Sequence, residues 1–193
     1  MRCQLSKKSL LGLCVLLIFL MLANISCYTG AVKDIQYELA PNAVMIHYTA
    51  DEKLNLYNDQ PHVLTLAVYQ LTMPDLYYKY IAKDSGKEDL LRMEIDDVTI
   101  TGKNRIDVQP GDVKSIEFAR YTDTKHIAII AGYDDLESGQ VSEIFKIPVS
   151  VKKRLIFKPV VTVEKLLIYL QLGPERIDKI TANDKVRPEN GNN

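Results

Sequence analysis

HVLTLAVYQL, residues 62–71, is apolar on both parities, with Leu64, Leu66 and Val68 on one side and Ala67, Tyr69 and Leu71 on the other. A strand with one face in water alternates apolar and polar residues. One that is apolar on both parities is buried on both sides. HIAIIAGY, residues 126–133, repeats the pattern and predicts a second central strand.

Shorter strand signals lie around these two. Val44–Tyr48 precedes them, and Val98–Val108 is followed by Pro110-Gly111, where Pro presets φ and Gly accepts a positive one. In the next strand Ile116 and Phe118 face one way and Glu117 the other. Ser142–Val149, Arg154–Val163 and Lys165–Leu172 complete the set. Gly173-Pro174 turns the chain, and Arg176–Ile180 pairs briefly. About eight short strands with turns between them predict a mainly β protein, a two-sheet β-sandwich.

One stretch breaks the period of two. Thr72-Met-Pro-Asp75 has the form of a capping box, with Pro in the first turn. Leu76, Tyr77, Tyr80 and Ile81 then follow helical spacing, Ser85-Gly86 interrupts, and Lys87–Met93 reads as a second short helix. The sandwich is therefore expected to carry a helical insertion over residues 73–93. Tyr77 and Tyr80 are expected to pack on their own sheet.

The N-terminus has a separate logic. Arg2, Lys7 and Lys8 precede an apolar run from Leu10 to Ala23, which closes on Asn24-Ile-Ser-Cys27. A basic leader, a short apolar core and a small residue before the cut describe a secretory signal peptide over residues 1–26. The run is short for a spanning helix. Cys27 after Ser26 suggests lipidation, so the working chain starts there with its acyl chains in a membrane. An uncleaved anchor and a plain signal peptide cut near Ser26 are the alternatives. The lipidated domain is expected over 27–183, with a disordered tail over 184–193.

Composition narrows the function classes. The chain has three cysteines and a net charge of −1. Cys3 and Cys14 belong to the leader, so Cys27 is left without a disulfide partner. Its balanced charge is unlike a nucleic-acid-binding surface. His47, His62 and His126 have no partner at metal-ligand spacing and read as strand-edge residues. Asp96-Asp97 and Asp134-Asp135 read as solvated loops. No nucleophile motif, phosphate-cradling loop or cofactor motif is present, so the expectation is a protein without catalytic residues, metal or cofactor. Tyr57, in the polar loop Asp51–Gln60 beside Leu54 and Leu56, is expected to meet a partner, because tyrosine joins apolar area to a polar tip.

The order of several short tags resembles a known family. Cys27 is followed by a strand and then by Leu54-Asn55. Pro61 leads into a strand ending Tyr69-Gln70-Leu71, and an aromatic helical segment, Pro74–Met93, comes next. Pro110-Gly111 precedes a strand, and Ala131-Gly-Tyr-Asp-Asp135 ends another. In this the chain resembles the outer-membrane lipoproteins of type VI secretion systems, the TssJ (SciN/VasD) family, as a divergent member. Asp134 stands where the family often has Arg, and the chain has no Trp.

The resemblance implies a transthyretin-like sandwich on the periplasmic face of the outer membrane, held there by N-terminal acyl chains. It implies binding to the periplasmic part of the TssM/IcmF-like inner-membrane subunit, beside other copies in a multimeric complex. It places Leu54, Asn55 and Pro61 in the partner-binding loop. Leu56, Tyr57, Asn58, Asp59 and Gln60 join them on the argument that an exposed loop holds apolar groups. The alternative is a periplasmic lipoprotein that holds a small ligand or peptide.

Overall fold

A computed structural model describes residues 35–137, 139–152 and 160–184. The leader, Cys27, the start of the Arg154–Val163 strand and the tail beyond Asp184 lie outside the described residues. The elements run β1 (Ala40–Ala50), β2 (Leu64–Leu71), α1 (Asp75–Ile81), α2 (Asp84–Arg92), β3 (Ile100–Val108), β4 (Val113–Arg120), β5 (His126–Ala131), β6 (Ser142–Lys146), β7 (Val149–Lys152), β8 (Val160–Val163), β9 (Leu166–Leu172) and β10 (Ile177–Ala182).

Two four-stranded sheets, ordered β10-β9-β1-β4 and β3-β2-β5-β6, form the sandwich. β1 pairs antiparallel with β4 and parallel with β9. β2 and β5 are central in the other sheet, antiparallel from Leu66 opposite Ala131 to Leu71 opposite His126. Their inner residues, Leu64, Leu66, Val68, Ile127, Ile129 and Ala131, meet Val44, Ile46 and Tyr48 of β1 and Leu166, Ile168 and Leu170 of β9. Each large side chain so buried contributes about 1.5–3 kcal/mol.

The other parity of β2 and β5 explains the helices. Ala67, Tyr69, Leu71, Ala128 and Ile130 form a second apolar cluster with Tyr77 of α1 and Leu90 of α2, and Tyr80, Ile81 and Leu91 pack against it. The insertion is the lid that makes two central strands apolar on both faces. The Tyr69 hydroxyl donates to the Leu90 carbonyl at 2.6 Å, and Tyr77 shares a 2.8 Å hydrogen bond with Ser142. Burial pushes the Tyr69 phenol up to about 12 and raises Tyr77 as well. The expected packing of Tyr77 and Tyr80 holds, whereas Tyr78 is exposed.

Several sequence expectations need correction. The strand over Ser142–Val149 is two strands, because Pro148 has no N–H for a ladder and sits between β6 and β7. β7 and β8 pair with each other outside both sheets, so the sandwich's eight strands are joined by a two-stranded hairpin. The capping box at Thr72 does not form: Pro74 is the cap of α1, and the Thr72 hydroxyl turns to the Thr99 carbonyl at 3.4 Å. Ser85-Gly86 is no break, since it lies in the first turn of α2. A Cβ on Gly86 would stand 2.2 Å from the Tyr80 carbonyl oxygen, so glycine is there to let α1 and α2 approach.

Candidate functional site

β1 runs from an entry end, where Ile35–Leu39 leads in, to a turn end that gathers four connections. The ladder of β1 closes there with Ala50 N–H on the Asp112 carbonyl and Asp51 N–H on the Leu172 carbonyl, both at 2.8 Å. The Asp51 carboxylate then accepts the Lys53 N–H at 2.7 Å and turns the chain.

The next residues are held one by one. Leu54 is fully buried in the sandwich core. Asn55 adopts φ 49°, a left-handed conformation that Asn tolerates. Its side-chain carbonyl accepts the Asp134 N–H at 2.8 Å, and its amide donates to the Val63 carbonyl at 3.2 Å. Leu56 N–H donates to the Pro174 carbonyl at 2.8 Å. Tyr57 and Gln60 then exchange backbone hydrogen bonds of 2.9 and 3.0 Å around Asn58 and Asp59, whose φ values are 49° and 59°. Two successive positive φ angles define a type I′ turn, and Asn and Asp are residues that accept them.

The loop is therefore a clamped base with a projecting tip. Leu54 leaves the set of candidate contact residues, because a side chain wholly inside the core offers no surface. Asn55 and Leu56 are half-buried and serve the clamp. Tyr57, Asn58, Asp59, Gln60 and Pro61 are exposed. The Tyr57 ring is 50 % exposed and meets His62 edge-on at 6.1 Å.

Residues beyond the loop complete this end, and sequence reasoning did not bring them together. The Tyr133 hydroxyl donates to the Arg176 carbonyl at 2.8 Å, tying the β5–β6 connection to the β9–β10 turn. Burial, with Asp178 nearby, pushes this phenol up. Carboxylates outnumber bases at the turn end: Asp51, Glu52, Asp59, Asp112, Asp134, Asp135, Glu137 and Glu175 stand with Lys53, Arg176, Lys87, which pairs with Glu137, and Lys114. Asp112 accepts from Lys114 at 2.8 Å and from the Gln109 N–H, and both hold its carboxyl below the usual range.

The remaining candidates are dispersed. Asp96 pairs with Lys103 at 2.9 Å, and the Asp97 carboxylate takes the Thr99 hydroxyl and N–H. His47 Nδ1 lies 2.9 Å from the Ser115 hydroxyl on the outer face of the β1 sheet, away from His62 at the turn end. Among the described residues, no three of His, Cys, Asp and Glu gather as a metal site. At the entry end the buried Gln70 amide donates to the Ala119 carbonyl at 2.8 Å and accepts the Tyr121 N–H at 3.0 Å, stitching one sheet to the other. What this geometry offers chemically is a stiff polar tip with one large ring, a surface for recognition.

Comparison with known proteins bears on this arrangement. Residues 42–164 match the family model of the type VI secretion lipoproteins (VasD, EvfM, TssJ). The chain belongs to that family. It is similar in fold to the type VI lipoprotein TssJ1 from Pseudomonas aeruginosa, at 20% identity and a TM-score of 0.54 over 77% of this chain and 100% of that one. It is also similar to Serratia marcescens Lip, a membrane-bound component of that system, at 14% identity and a TM-score of 0.51 over 72% of this chain and 96% of the other. No curated protein matches it. The expected two-sheet sandwich with a short helical insertion is thus the fold of a type VI secretion lipoprotein.

Proposed function

We propose that this lipoprotein is the outer-membrane clamp of a type VI secretion membrane complex. Acyl chains on Cys27 hold it to the periplasmic face of the outer membrane. The tip from Tyr57 to Pro61 takes the periplasmic part of the TssM/IcmF-like inner-membrane subunit, beside other copies in the complex. It works by holding a partner and transforms nothing.

The observation that supports this most is the polarity of β1. The chain arrives from Cys27 at one end of this eleven-residue strand, and the candidate tip stands at the other. Ten steps of about 3.3 Å put the two ends at most roughly 33 Å apart. β1 lies between β4 and β9, so a pull between membrane and partner runs along the β1 backbone, which a ladder holds in place on each side. Separating the two attachments also keeps the tip clear of the bilayer.

The test is paired. Cys27→Ser should yield a folded protein that leaves the membrane fraction and no longer supports secretion, yet still captures the inner-membrane subunit. Continued membrane fractionation with full secretion would refute the lipid-anchor reading. The ligand-binding alternative finds little support in the cavity under α1 and α2. Lined by Tyr69, Leu71, Tyr77 and Leu90 among others, it measures about 10 Å³, roughly the space of one water.

A further inference from the structure

At the entry end Lys125 and Lys146 share the surroundings of His126 with Asp75, and among the described residues neither lysine is in an ion pair. Lys125 and Lys146 sit beside the first rung of the β5–β6 pairing, where His126 faces Lys146 and the Ile147 N–H donates to the Lys125 carbonyl at 2.9 Å. Both lysines are exposed. Among the described residues neither has a hydrogen bond or ion pair through its ammonium. Their charge reaches His126, whose imidazole is held below its usual pKa by burial first and then by Lys146 and Lys125.

The β7–β8 hairpin leaves the body from the same end. Its base, Val149 opposite Val163, packs against the sandwich core. Further along, Val151 and Val160 are 40 % and 41 % exposed, and Lys152 is exposed beside them. A free two-stranded ribbon is marginal in water. This one puts valines and a lysine into solvent with no cover from either sheet.

The tether ends here too. Residues 27–34, between Cys27 and the described chain, reach at most about 28 Å when extended. We infer that the entry end is a second membrane contact, at which Lys125, Lys146 and Lys152 meet the phosphates of an anionic bilayer while Val151 and Val160 lie against its interface. The inference rests on the lipid-anchor reading. Each base near an anionic surface adds a modest attraction that fades within a Debye length, about 8 Å at physiological salt. Alone that is weak, but a tether raises the local concentration of bilayer enough for weak contacts to be occupied. In this pose the acidic turn end stands several Debye lengths from the bilayer and is not acted on by it, whereas the opposite pose would press those carboxylates against the phosphates and is disfavoured.

The experiment uses the chain from residue 27 with Cys27→Ser, so that no acyl chain contributes. Both apolar clusters are built from described residues that this variant retains. Co-sedimentation is measured with phosphatidylcholine vesicles alone and with vesicles containing about one-third phosphatidylglycerol, a fraction chosen to give a strongly negative surface. The expected result is stronger binding to the anionic vesicles. It should fall at least about tenfold in the triple variant Lys125→Glu, Lys146→Glu, Lys152→Glu and on raising the salt. The milder triple Lys→Gln variant should fall in between, with an unchanged melting temperature. Equal binding to both vesicle types, or anionic binding untouched by either triple variant, overturns the inference. Capture of the inner-membrane subunit by the same variants reads the proposed function separately and should not change.

Discussion

The side-chain carbonyl of Asn55 accepts the backbone N–H of Asp134 at 2.8 Å, joining two loops that are 79 residues apart in the chain. The same amide donates to Val63, and its backbone sits at φ 49°. Asn55→Ala removes both bonds and places a Cβ residue that lacks Asn's tolerance in a left-handed conformation. The expected cost is about 2 kcal/mol, roughly half from each source. Asn55→Gly relieves the backbone and loses only the bonds, so it should cost about 1 kcal/mol. Urea unfolding of the two variants separates the terms, and equal losses would show that the backbone contributes nothing.

Tyr57 is a different kind of residue, half in solvent and touching His62 by its ring edge. Its removal should leave the fold almost intact, with a loss below about 1 kcal/mol. If the ring is an interface anchor, Tyr57→Ala should lower affinity for the inner-membrane subunit at least about tenfold. Tyr78→Ala, equally exposed but on α1, is the control and should bind as the parent does. A pull-down in which Tyr57→Ala matches Tyr78→Ala would take the tip out of the interface.

The central strands were legible because each needs a continuous run of apolar side chains on both parities, and few other structures ask for that. The strands read over 62–71 and 126–133 therefore match Leu64–Leu71 and His126–Ala131 to within two residues at each end. The tags shared with the family were legible as tags but not as contacts. Leu54 looked like an apolar group stranded in a polar loop, yet it is a core residue, because the loop bends back over the open end of the sandwich. Nothing local announces such a bend. Asn55 and Tyr133 act through carbonyls and N–H groups far along the chain, and backbone partners leave no mark on composition. The turn at Asn58-Asp59 did carry a signal, two residues tolerant of positive φ in succession, which the loop's polarity obscured.

Gly86 makes an inverted prediction. In an exposed helix, Gly→Ala stabilises by about 1 kcal/mol. Here the new Cβ would meet the Tyr80 carbonyl oxygen at 2.2 Å and its carbon at 2.8 Å, both backbone atoms that cannot swing aside. Gly86→Ala should therefore destabilise by about 1–3 kcal/mol as α1 and α2 are pushed apart. Ser85→Ala, one position earlier and exposed, should stay within about 0.5 kcal/mol of the parent. Thermal unfolding decides between helix propensity and close approach.

His126 sets a pH dependence whose direction follows from its surroundings. Among the described residues its Nδ1 is buried without a partner, and burial, then Lys146 and Lys125, outweigh the Thr72 backbone hydrogen bond and Asp75 to lower its folded pKa below the ordinary value of 6.5. The unfolded chain thus binds a proton at a pH where the folded chain still resists one. The resulting stability is fully present above about pH 6.5 and is lost as the pH falls towards the folded pKa. Asp97 and Asp112 are lowered from the carboxylate range, so their own losses begin further into acid. The window just below pH 6.5 therefore reports on the histidine. His126→Asn keeps a polar side chain with nothing to titrate, and it should flatten the slope of unfolding free energy against pH in that window while leaving the acid limb in place. The check is a set of urea curves at closely spaced pH together with an NMR titration of the ring. A His126 that takes its proton at or above pH 6.5 in the folded protein would reverse the sign of the expected slope.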